Sequence, residues 1–279
     1  MTQHLHQPAR ATQQIAASVL EARTAKFRRD TRLNWLPPLI GLLVLALWYL
    51  LTRDQATAFG IASPIGVAQQ FITTLMNGTL LRHIGVTLLE ICIGLLAGVS
   101  SAFILGYGIA RNRFLEQAIG PYAVGFQAVP IIAVAPVLIR IFGPGIVSNG
   151  IVCALIVFFP MLINTMVGIR NVSPDLRDLM RSLSATRWQI FTRLEVPAAL
   201  PVLLGGLKIS ATLAVIGAVV GEAVSAQAGL GYLIYSARYV YDTSLVLVGV
   251  FTLTALALTL YELVSRLESR LLRWQRAGH

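Results

Sequence analysis

One uncharged run of sequence decides the fold class: Ile146-Val-Ser-Asn-Gly-Ile-Val-Cys-Ala-Leu-Ile-Val-Phe-Phe-Pro-Met-Leu-Ile-Asn-Thr-Met-Val-Gly-Ile169. A helix needs about 20 apolar residues to cross a hydrocarbon core about 30 Å thick, so this run is long enough to span a membrane. The whole chain agrees, because 56% of its 279 residues are hydrophobic and only 12% are charged. Soluble proteins carry roughly 25% charged residues. We therefore expect an integral membrane protein.

Outward from this run, apolar segments alternate with charged or Gly- and Pro-rich breaks, and together they predict six transmembrane helices. The six spans lie near 36–52, 85–109, 118–142, 146–169, 201–225 and 244–265. The stretch 63–81 is too polar to span, but its apolar residues recur at helical spacing, which predicts a helix along the outer surface. The predicted fold is all-α, with short connections and little room for a separate domain.

The basic residues divide unequally between the two sides of this arrangement. With the N-terminus inside the cell, seventeen of the 22 basic residues lie on the cytoplasmic side, Lys208 lies within the fifth span, and four arginines lie outside. Cytoplasmic loops of membrane proteins carry such an excess of Lys and Arg. We therefore expect both termini in the cytoplasm. The same asymmetry accounts for the formal net charge of +10 without a nucleic-acid partner.

The cytoplasmic loop at 170–200 has a pattern of its own. Ser173-Pro174 suits the start of a short helix, with Ser173 as its cap and one apolar stripe formed by Leu176, Leu179, Met180 and Leu183. Ser184-Ala185 ends that helix. The spacing Thr186-x-x-Gln189 is a capping box for a second helix, and Pro197 and Pro201 are expected to end it before the next crossing.

Such a helix pair, apolar on one face and flanked by arginines, has two interpretations. It lies on lipid headgroups, or it docks in a groove of a soluble partner. The residue pattern alone leaves both open.

A resemblance favours docking. The run Asp178-Leu-Met-Arg-Ser-Leu-Ser184-Ala-Thr-Arg-Trp-Gln-Ile190-Phe, followed by Val196-Pro-Ala-Ala-Leu-Pro201, resembles the EAA-type coupling motif of ATP-binding-cassette (ABC) importer permeases. Similarity to the nitrate, sulfonate and taurine group extends from about Trp35 to Trp274 and includes Phe158-Phe-Pro-Met-Leu-Ile-Asn164-Thr and Gly229-Leu-Gly-Tyr-Leu-Ile234. Two positions depart from the family pattern. Asp178-Leu179-Met180 replaces the usual Glu-Ala-Ala, and Ser184 replaces the usual glycine. Serine tolerates a left-handed backbone less well than glycine, so we expect a tighter or shifted turn and a dedicated ATPase partner.

The resemblance implies a type I ABC importer permease fold with a basic segment at 1–34, a transmembrane domain at 35–274 and a tail at 275–279. It implies an inner-membrane homodimer, surrounded by lipid, that works with two cytoplasmic ATP-binding subunits and an external solute-binding protein. It implies no catalytic, cofactor or metal site in this chain. The residues that it assigns to ATPase coupling are Asp178, Leu179, Met180, Arg181, Ser184, Ala185, Trp188, Ile190 and Pro197.

Three ionisable side chains fall within predicted spans: Glu90, Lys208 and Glu222. Because charged groups are costly in hydrocarbon, each is a candidate for the pathway or its gate. The alternative is that Lys208 reaches the inner headgroups and that Glu222 caps or pairs near the outer end of its helix. Two glycine pairs, Gly94/Gly98 and Gly217/Gly221, predict close helix packing, either within the chain or between subunits.

The substrate is indicated only by one further resemblance. The run Thr212-Leu-Ala-Val-Ile-Gly-Ala-Val-Val-Gly-Glu222 is more similar to permeases for riboflavin and thiamine-precursor pyrimidines than to those for sulfonates, taurine or nitrate, which stay the alternative. An ion-coupled secondary transporter is disfavoured, since we find no internal repeat and no clustered intramembrane carboxylates. A membrane enzyme is disfavoured because no predicted span holds a histidine that would activate a serine.

Overall fold

A computed structural model describes residues 36–53, 60–225 and 227–273 of the chain. It divides into two compact units, Met1–Pro64 and Ile65–His279. Its helices are α1 (Leu36–Thr52), α2 (Pro64–Met76), α3 (Thr79–Ala110), α4 (Arg113–Gln127), α5 (Ile131–Phe142), α6 (Ile146–Arg170), α7 (Pro174–Ser182), α8 (Arg187–Ile190), α9 (Val196–Ser225), α10 (Leu230–Tyr239) and α11 (Thr243–Leu271), and a π-helical turn, Phe191–Glu195, joins α8 to α9.

Four helical segments in the described part of the chain are long and apolar enough to cross a membrane: Thr79–Ala110, Ile146–Arg170, Arg187–Val224 and Thr243–Leu271. The shorter α1 is also apolar, and its bounds coincide with the first predicted span at 36–52. The predicted all-α membrane class is therefore confirmed. The count of six crossings and the cytoplasmic placement of both termini stay predictions.

The third predicted span, at 118–142, is not one straight helix. The helices α4 and α5 meet at an angle of 97° and form either a broken span or a re-entrant loop. Pro130 stands in the break with an extended backbone, directly before α5. The residue before a proline is disfavoured from helical geometry, which favours a break at this point of the apolar run.

The helix α6 lies between α3 and α9, and glycines bring the backbones close together. A Cβ atom at Gly98 of α3 would lie 2.7 Å from the backbone oxygen of Ala154. A Cβ atom at Gly217 of α9 would lie 2.8 Å from the Cα atom of Cys153. All four glycines of the two predicted pairs face α6 in this way. Of the two interpretations of these pairs, packing within the chain is confirmed.

Two apolar clusters flank α6 and hold the bundle together. One cluster fills the half of the bundle nearer the loop at 170–200, around Met161, Leu162 and Ile169. The other lies further along the same helix, around Cys153 and Val157. The outer faces of the helices are apolar as well, since Leu96 and Ile104 of α3 are 74% and 68% exposed. Such an apolar exterior suits contact with lipid.

Candidate functional site

The loop at 170–200 forms the two short helices that its sequence predicts, α7 and α8. Pro174 is the first residue of α7, as expected, because its missing N–H group is not needed there. The prediction that Ser173 caps this helix is wrong, since its side chain makes no capping bond to the described residues. The proline, rather than the serine, marks the start of the helix.

The turn between the two helices has the geometry of a Schellman motif. Ser184 lies in the left-handed region, with φ of 57°. Its N–H group donates to the carbonyl oxygen of Arg181, and the N–H group of Ala185 donates to that of Met180, both at 2.9 Å. These two bonds define the motif, which usually has glycine where Ser184 stands. The expected tighter or shifted turn is therefore wrong: the turn is ordinary, and the serine bears the backbone strain.

The second helix begins with the predicted capping box. The backbone N–H of Gln189 donates to Thr186 Oγ1 at 3.3 Å, and the backbone N–H of Thr186 donates to Gln189 Oε1 at 2.8 Å. Both halves of the reciprocal cap are thus present, and the prediction is confirmed.

This helix does not end at Pro197 or Pro201, and that prediction is wrong. The N–H group of Val196 bonds to the carbonyl oxygen of Phe191, five residues earlier, and forms a π-helical turn. Pro197 has no N–H group to offer, so the wider turn directly before it absorbs the missing bond without a break. As a result, residues Arg187–Val224 form one helical segment from the coupling loop into the membrane.

The helix pair α7–α8 exposes large apolar side chains. Leu179 is 54% exposed, and Leu183 and Trp188 are each 70% exposed. Asp178 and Arg181 form an exposed ion pair of 2.9 Å along α7, beside these residues. We call the exposed set Asp178, Leu179, Arg181, Leu183, Ser184 and Trp188 the coupling surface. Clustered exposed apolar groups with charges around them are typical of a protein interaction site.

Not all of the residues assigned to coupling lie on this surface. Met180, Ala185 and Pro197 are half-buried, and Ile190 is 5% exposed and packs into the fold. The last of these holds α8 in place rather than presenting a side chain to a partner.

A buried ion-pair network, which the sequence analysis missed, attaches the helix pair to the bundle. Glu195 is 2% exposed and accepts hydrogen bonds from the hydroxyl of Tyr107 at 2.7 Å and from Arg177 Nε at 3.1 Å. Arg111 lies 3.9 Å from the same carboxylate and donates to the Tyr107 hydroxyl at 2.6 Å. Arg177 also donates to the carbonyl oxygen of Ile169 at 2.6 Å. One carboxylate thus joins α7, α3 and the π-helical turn.

Aromatic rings reinforce the same junction. The Phe191 ring meets the Tyr107 ring edge-on at 4.9 Å and lies 5.3 Å from the Trp188 ring. Trp188 belongs to the coupling surface, and Tyr107 belongs to the membrane helix α3. The contact sequence from Trp188 through Phe191 to Tyr107 therefore gives a second physical connection between the coupling surface and the bundle.

A second group of polar side chains is buried within the bundle, at the other end of α9. We call it the buried polar cluster and define it as His83, Thr87, Glu90, Asn149 and Glu222. All five side chains are at most 8% exposed. They come from α3, α6 and α9, and they surround the N-terminus of the short helix α10.

Within the buried polar cluster, side chains bind the first amides of α10. The hydrogen bonds are Gly229 N to His83 Nδ1 at 2.9 Å, Leu230 N to Thr87 Oγ1 at 2.8 Å and Gly231 N to Glu222 Oε2 at 2.5 Å. Thr87 in turn donates its hydroxyl proton to Glu222 Oε1 at 2.5 Å.

Glu90 and Asn149 complete the cluster. Asn149 Nδ2 donates to Glu90 Oε1 at 2.8 Å. Glu90 Oε2 meets no hydrogen-bond partner among the described residues. Glu90 and Glu222 thus lie in one buried cluster and interact electrostatically. The expectation that the intramembrane carboxylates are not clustered is therefore wrong. The cost of burying a charge was the signal that identified both residues.

Lys208, the third candidate, lies apart from them. Its ammonium group forms an ion pair with Glu268 of α11 and lies 5.8 Å from the centre of the Tyr261 ring. Both side chains are mostly buried: Lys208 is 20% exposed and Glu268 is 25% exposed. Lys208 thus ties α9 to α11.

A groove of about 610 Å³ runs between α9, α10 and α11. Its wall on α9 is formed by Thr212, Val215, Ile216, Val219 and Val220, which belong to the run that resembles the vitamin permeases. Tyr235 and Arg238 of α10 line this groove and also line an adjacent pocket of about 580 Å³. That pocket includes Tyr239 and Tyr241, which are 83% and 90% exposed.

Known proteins resemble this chain over most of its length. The family model of binding-protein-dependent transport system inner membrane components matches residues 90–273. The riboflavin transport system permease protein RibX of Chloroflexus aurantiacus is 42% identical, with 95% of that protein and 90% of this chain covered. The formylaminopyrimidine transport permease protein ThiX of Halalkalibacterium halodurans is 33% identical, with 96% of that protein and 86% of this chain covered. The putative aliphatic sulfonates transport permease protein SsuC of Bacillus subtilis is 29% identical, with 89% of that protein and 88% of this chain covered.

A solved structure shares the fold. A chain of the MetNI methionine ABC transporter, in an inward-facing crystal form, has a TM-score of 0.61 and 21% identity to this chain, with 97% of that chain and 70% of this one covered. The family match spans well over half of the chain, and the match to RibX spans nearly all of it. This chain therefore belongs to the binding-protein-dependent transport system inner membrane components and is a multi-pass permease subunit of an ABC importer.

Proposed function

We propose that this permease forms the translocation pathway of an ATP-driven importer for riboflavin or a thiamine-precursor pyrimidine. Two copies of the chain form the pathway in the inner membrane, an external binding protein delivers the solute, and two ATP-binding subunits dock on the coupling surface. The single observation that supports this mechanism is the uninterrupted helical segment Arg187–Val224, which joins the coupling surface to the membrane part of the chain.

The geometry indicates how ATP-driven motion reaches the pathway. When the ATP-binding subunits close, they move α7 and α8 together, because the Schellman turn and the capping box leave little freedom between them. Movement of α8 passes directly into α9 through the π-helical turn. Glu195 passes the same movement to α3 through Tyr107 and Arg111. The switch between inward-facing and outward-facing pathways is then a displacement of packed helices against one another.

The relatives and the groove support the solute class. RibX and ThiX, at 42% and 33% identity, are named for riboflavin and formylaminopyrimidine, which are both planar heteroaromatic compounds. In this chain, Tyr235 offers a ring face for stacking and Arg238 offers planar donors for polar ring edges where the groove meets the outer pocket. A sulfonate is the second candidate, because SsuC covers nearly the same length at 29% identity.

Uptake measurements test this proposal directly. Proteoliposomes that contain the permease, its ATP-binding subunits and its binding protein are supplied with radiolabelled riboflavin or a formylaminopyrimidine. We expect ATP-dependent uptake that the unlabelled compound abolishes and that excess taurine leaves unchanged. Uptake of taurine, with riboflavin and the pyrimidine inert, would favour the sulfonate candidate and contradict the proposed solute.

The role of the intramembrane residues is part of the proposal. Glu90 and Glu222 belong to an outer gate. This agrees with the position of Glu222 near the end of α9 away from the coupling surface, in the same buried polar cluster as Glu90 of α3. The ion pair of Lys208 with Glu268 favours a structural role for that lysine over contact with solute.

A further inference from the structure

We propose that the carboxyl group of Glu222 is the cap that seats the N-terminus of α10 inside the bundle. Seating α10 fixes the positions of Tyr235 and Arg238 at the mouth of the groove. Only the effect on transport rests on the proposed function. The first test, which measures the position of α10, does not depend on the identity of the solute.

The N-terminus of a helix leaves four amide groups without partners in the helix itself, and a buried N-terminus must find them elsewhere. At the start of α10, three of these amides, those of Gly229, Leu230 and Gly231, bond to His83, Thr87 and Glu222 from other helices. Leu230, the first residue of α10, is 0% exposed, so water does not replace these partners. A carboxylate at this position also complements the positive end of the helix dipole.

Two glycines make room for the carboxylate. Gly229 has φ of 117°, which side chains rarely allow, and a Cβ atom there would overlap the carboxyl group of Glu222. A Cβ atom at Gly231 would lie 2.8 Å from Glu222 Oε2. The sequence Gly229-Leu-Gly231 is thus a cradle in which the backbone wraps around an acidic side chain of its own chain.

Thr87 holds this carboxyl group in place. Glu222 Oε1 accepts from the Thr87 hydroxyl, and Glu222 Oε2 accepts from the Gly231 amide. The same Thr87 oxygen accepts from the Leu230 amide, so one hydroxyl group links Glu222 to the first residue of α10.

The consequence for transport follows from what α10 carries. Tyr235 and Arg238 project into both the groove and the outer pocket, whereas Leu233 and Ala237 of the same helix are buried at 5% and 2% exposure. If the cap is lost, α10 separates from the bundle, its buried face becomes accessible, and the two groove residues lose their fixed positions.

The test measures whether α10 is seated. Ala237→Cys is introduced with Cys92→Ser, which removes the exposed native thiol and leaves only the buried Cys153. The assembled transporter in proteoliposomes is then treated with a membrane-impermeant maleimide. Thr87→Val keeps the shape of the side chain but removes the hydroxyl, and it should speed labelling at position 237 about tenfold, because a buried amide loses its acceptor. Thr87→Ser keeps the hydroxyl and should label at the parent rate.

The two carboxyl groups should respond differently to glutamine. Glu90→Gln leaves the bonds of His83, Thr87 and Glu222 to α10 in place, so labelling should stay slow. Glu222→Gln places an NH₂ group against one of its two donors, the Thr87 hydroxyl or the Gly231 amide, so labelling should be about as fast as in Thr87→Val. Equal acceleration by both glutamine variants would contradict the assignment of the cap to Glu222. Slow labelling in Thr87→Val would contradict the seating of α10.

A transport measurement separates this inference from the proposed function. In an active transporter, Thr87→Val should raise the KM for solute more than it lowers the maximal rate, and Thr87→Ser should restore the KM. An unchanged KM in Thr87→Val, despite fast labelling, would contradict the link between α10 and the groove. Absence of uptake in the parent, with the expected labelling pattern intact, would contradict the proposed solute and support the cap.

Discussion

Replacing Glu195 by glutamine removes the charge that joins the coupling loop to the membrane helices while it keeps the volume of the side chain. Exposed ion pairs contribute about 0.2–1 kcal/mol, and breaking a buried pair costs about 3–5 kcal/mol. The Glu195 side chain is 2% exposed but Arg177 is 23% exposed, so the pair lies between these cases. We expect a loss of about 2 kcal/mol, or roughly thirtyfold in the equilibrium that keeps α7 in place against α3.

The assay for Glu195→Gln is the number of ATP molecules hydrolysed per solute imported by the reconstituted transporter. The coupling surface is unchanged, so the ATP-binding subunits should still bind and hydrolyse ATP, while uptake falls and the ratio rises. Arg177→Gln should have a similar effect, and the double variant should lose less than the sum of the two single losses, because the Glu195–Arg177 pair is common to both. A parent-like ratio in Glu195→Gln, or fully additive effects, would show that this pair does not couple α7 to α3.

Three other changes test separate parts of the structure. Leu179→Asp should release the ATP-binding subunit, because it places a charge in the apolar interface, whereas Leu179→Met should retain it, as co-purification at matched membrane levels would reveal. Ser184→Gly should stabilise the left-handed turn by about 1 kcal/mol and should raise the affinity for the ATP-binding subunit. Equal or weaker binding would contradict this prediction. Gly98→Ala should lower the yield of folded permease, because the new methyl group would meet the Ala154 backbone, and Gly108→Ala on the same helix, where the space is open, should not; equal yields would show that the close packing is unimportant.

Local features of this fold were predictable from the sequence. The first helix has the predicted bounds, and the capping box at Thr186 is present, because both depend on residues that are neighbours in the chain. The break in the third predicted span was also recoverable, since Pro130 stands at its centre, but the continuous apolar run outweighed this one residue. At Pro197 the error was opposite, because a π-helical turn lets the helix continue past a proline.

Long-range partnerships were not predictable in the same way. Glu195 looks like one polar residue among several in the loop at 170–200, and its partner Tyr107 lies 88 positions away in sequence. The partners Thr87 and Glu222 are 135 positions apart, although the rarity of carboxylates in apolar spans did identify Glu222 as a candidate. A single sequence indicates that a buried charge needs a partner, but only the packing of α3 against α9 determines which residue it is.

Site-specific photocrosslinking in intact cells tests directly whether the coupling surface of this permease binds the ATP-binding subunit. A photoreactive amino acid replaces Leu179 on the coupling surface, and in a matched control it replaces Ile104, which is similarly exposed but lies on the apolar face of α3. We expect a covalent adduct with the ATP-binding subunit from position 179 and none from position 104. Adducts from position 179 with lipid alone would contradict docking of the ATP-binding subunit on this surface and would place the helix pair on the membrane surface instead.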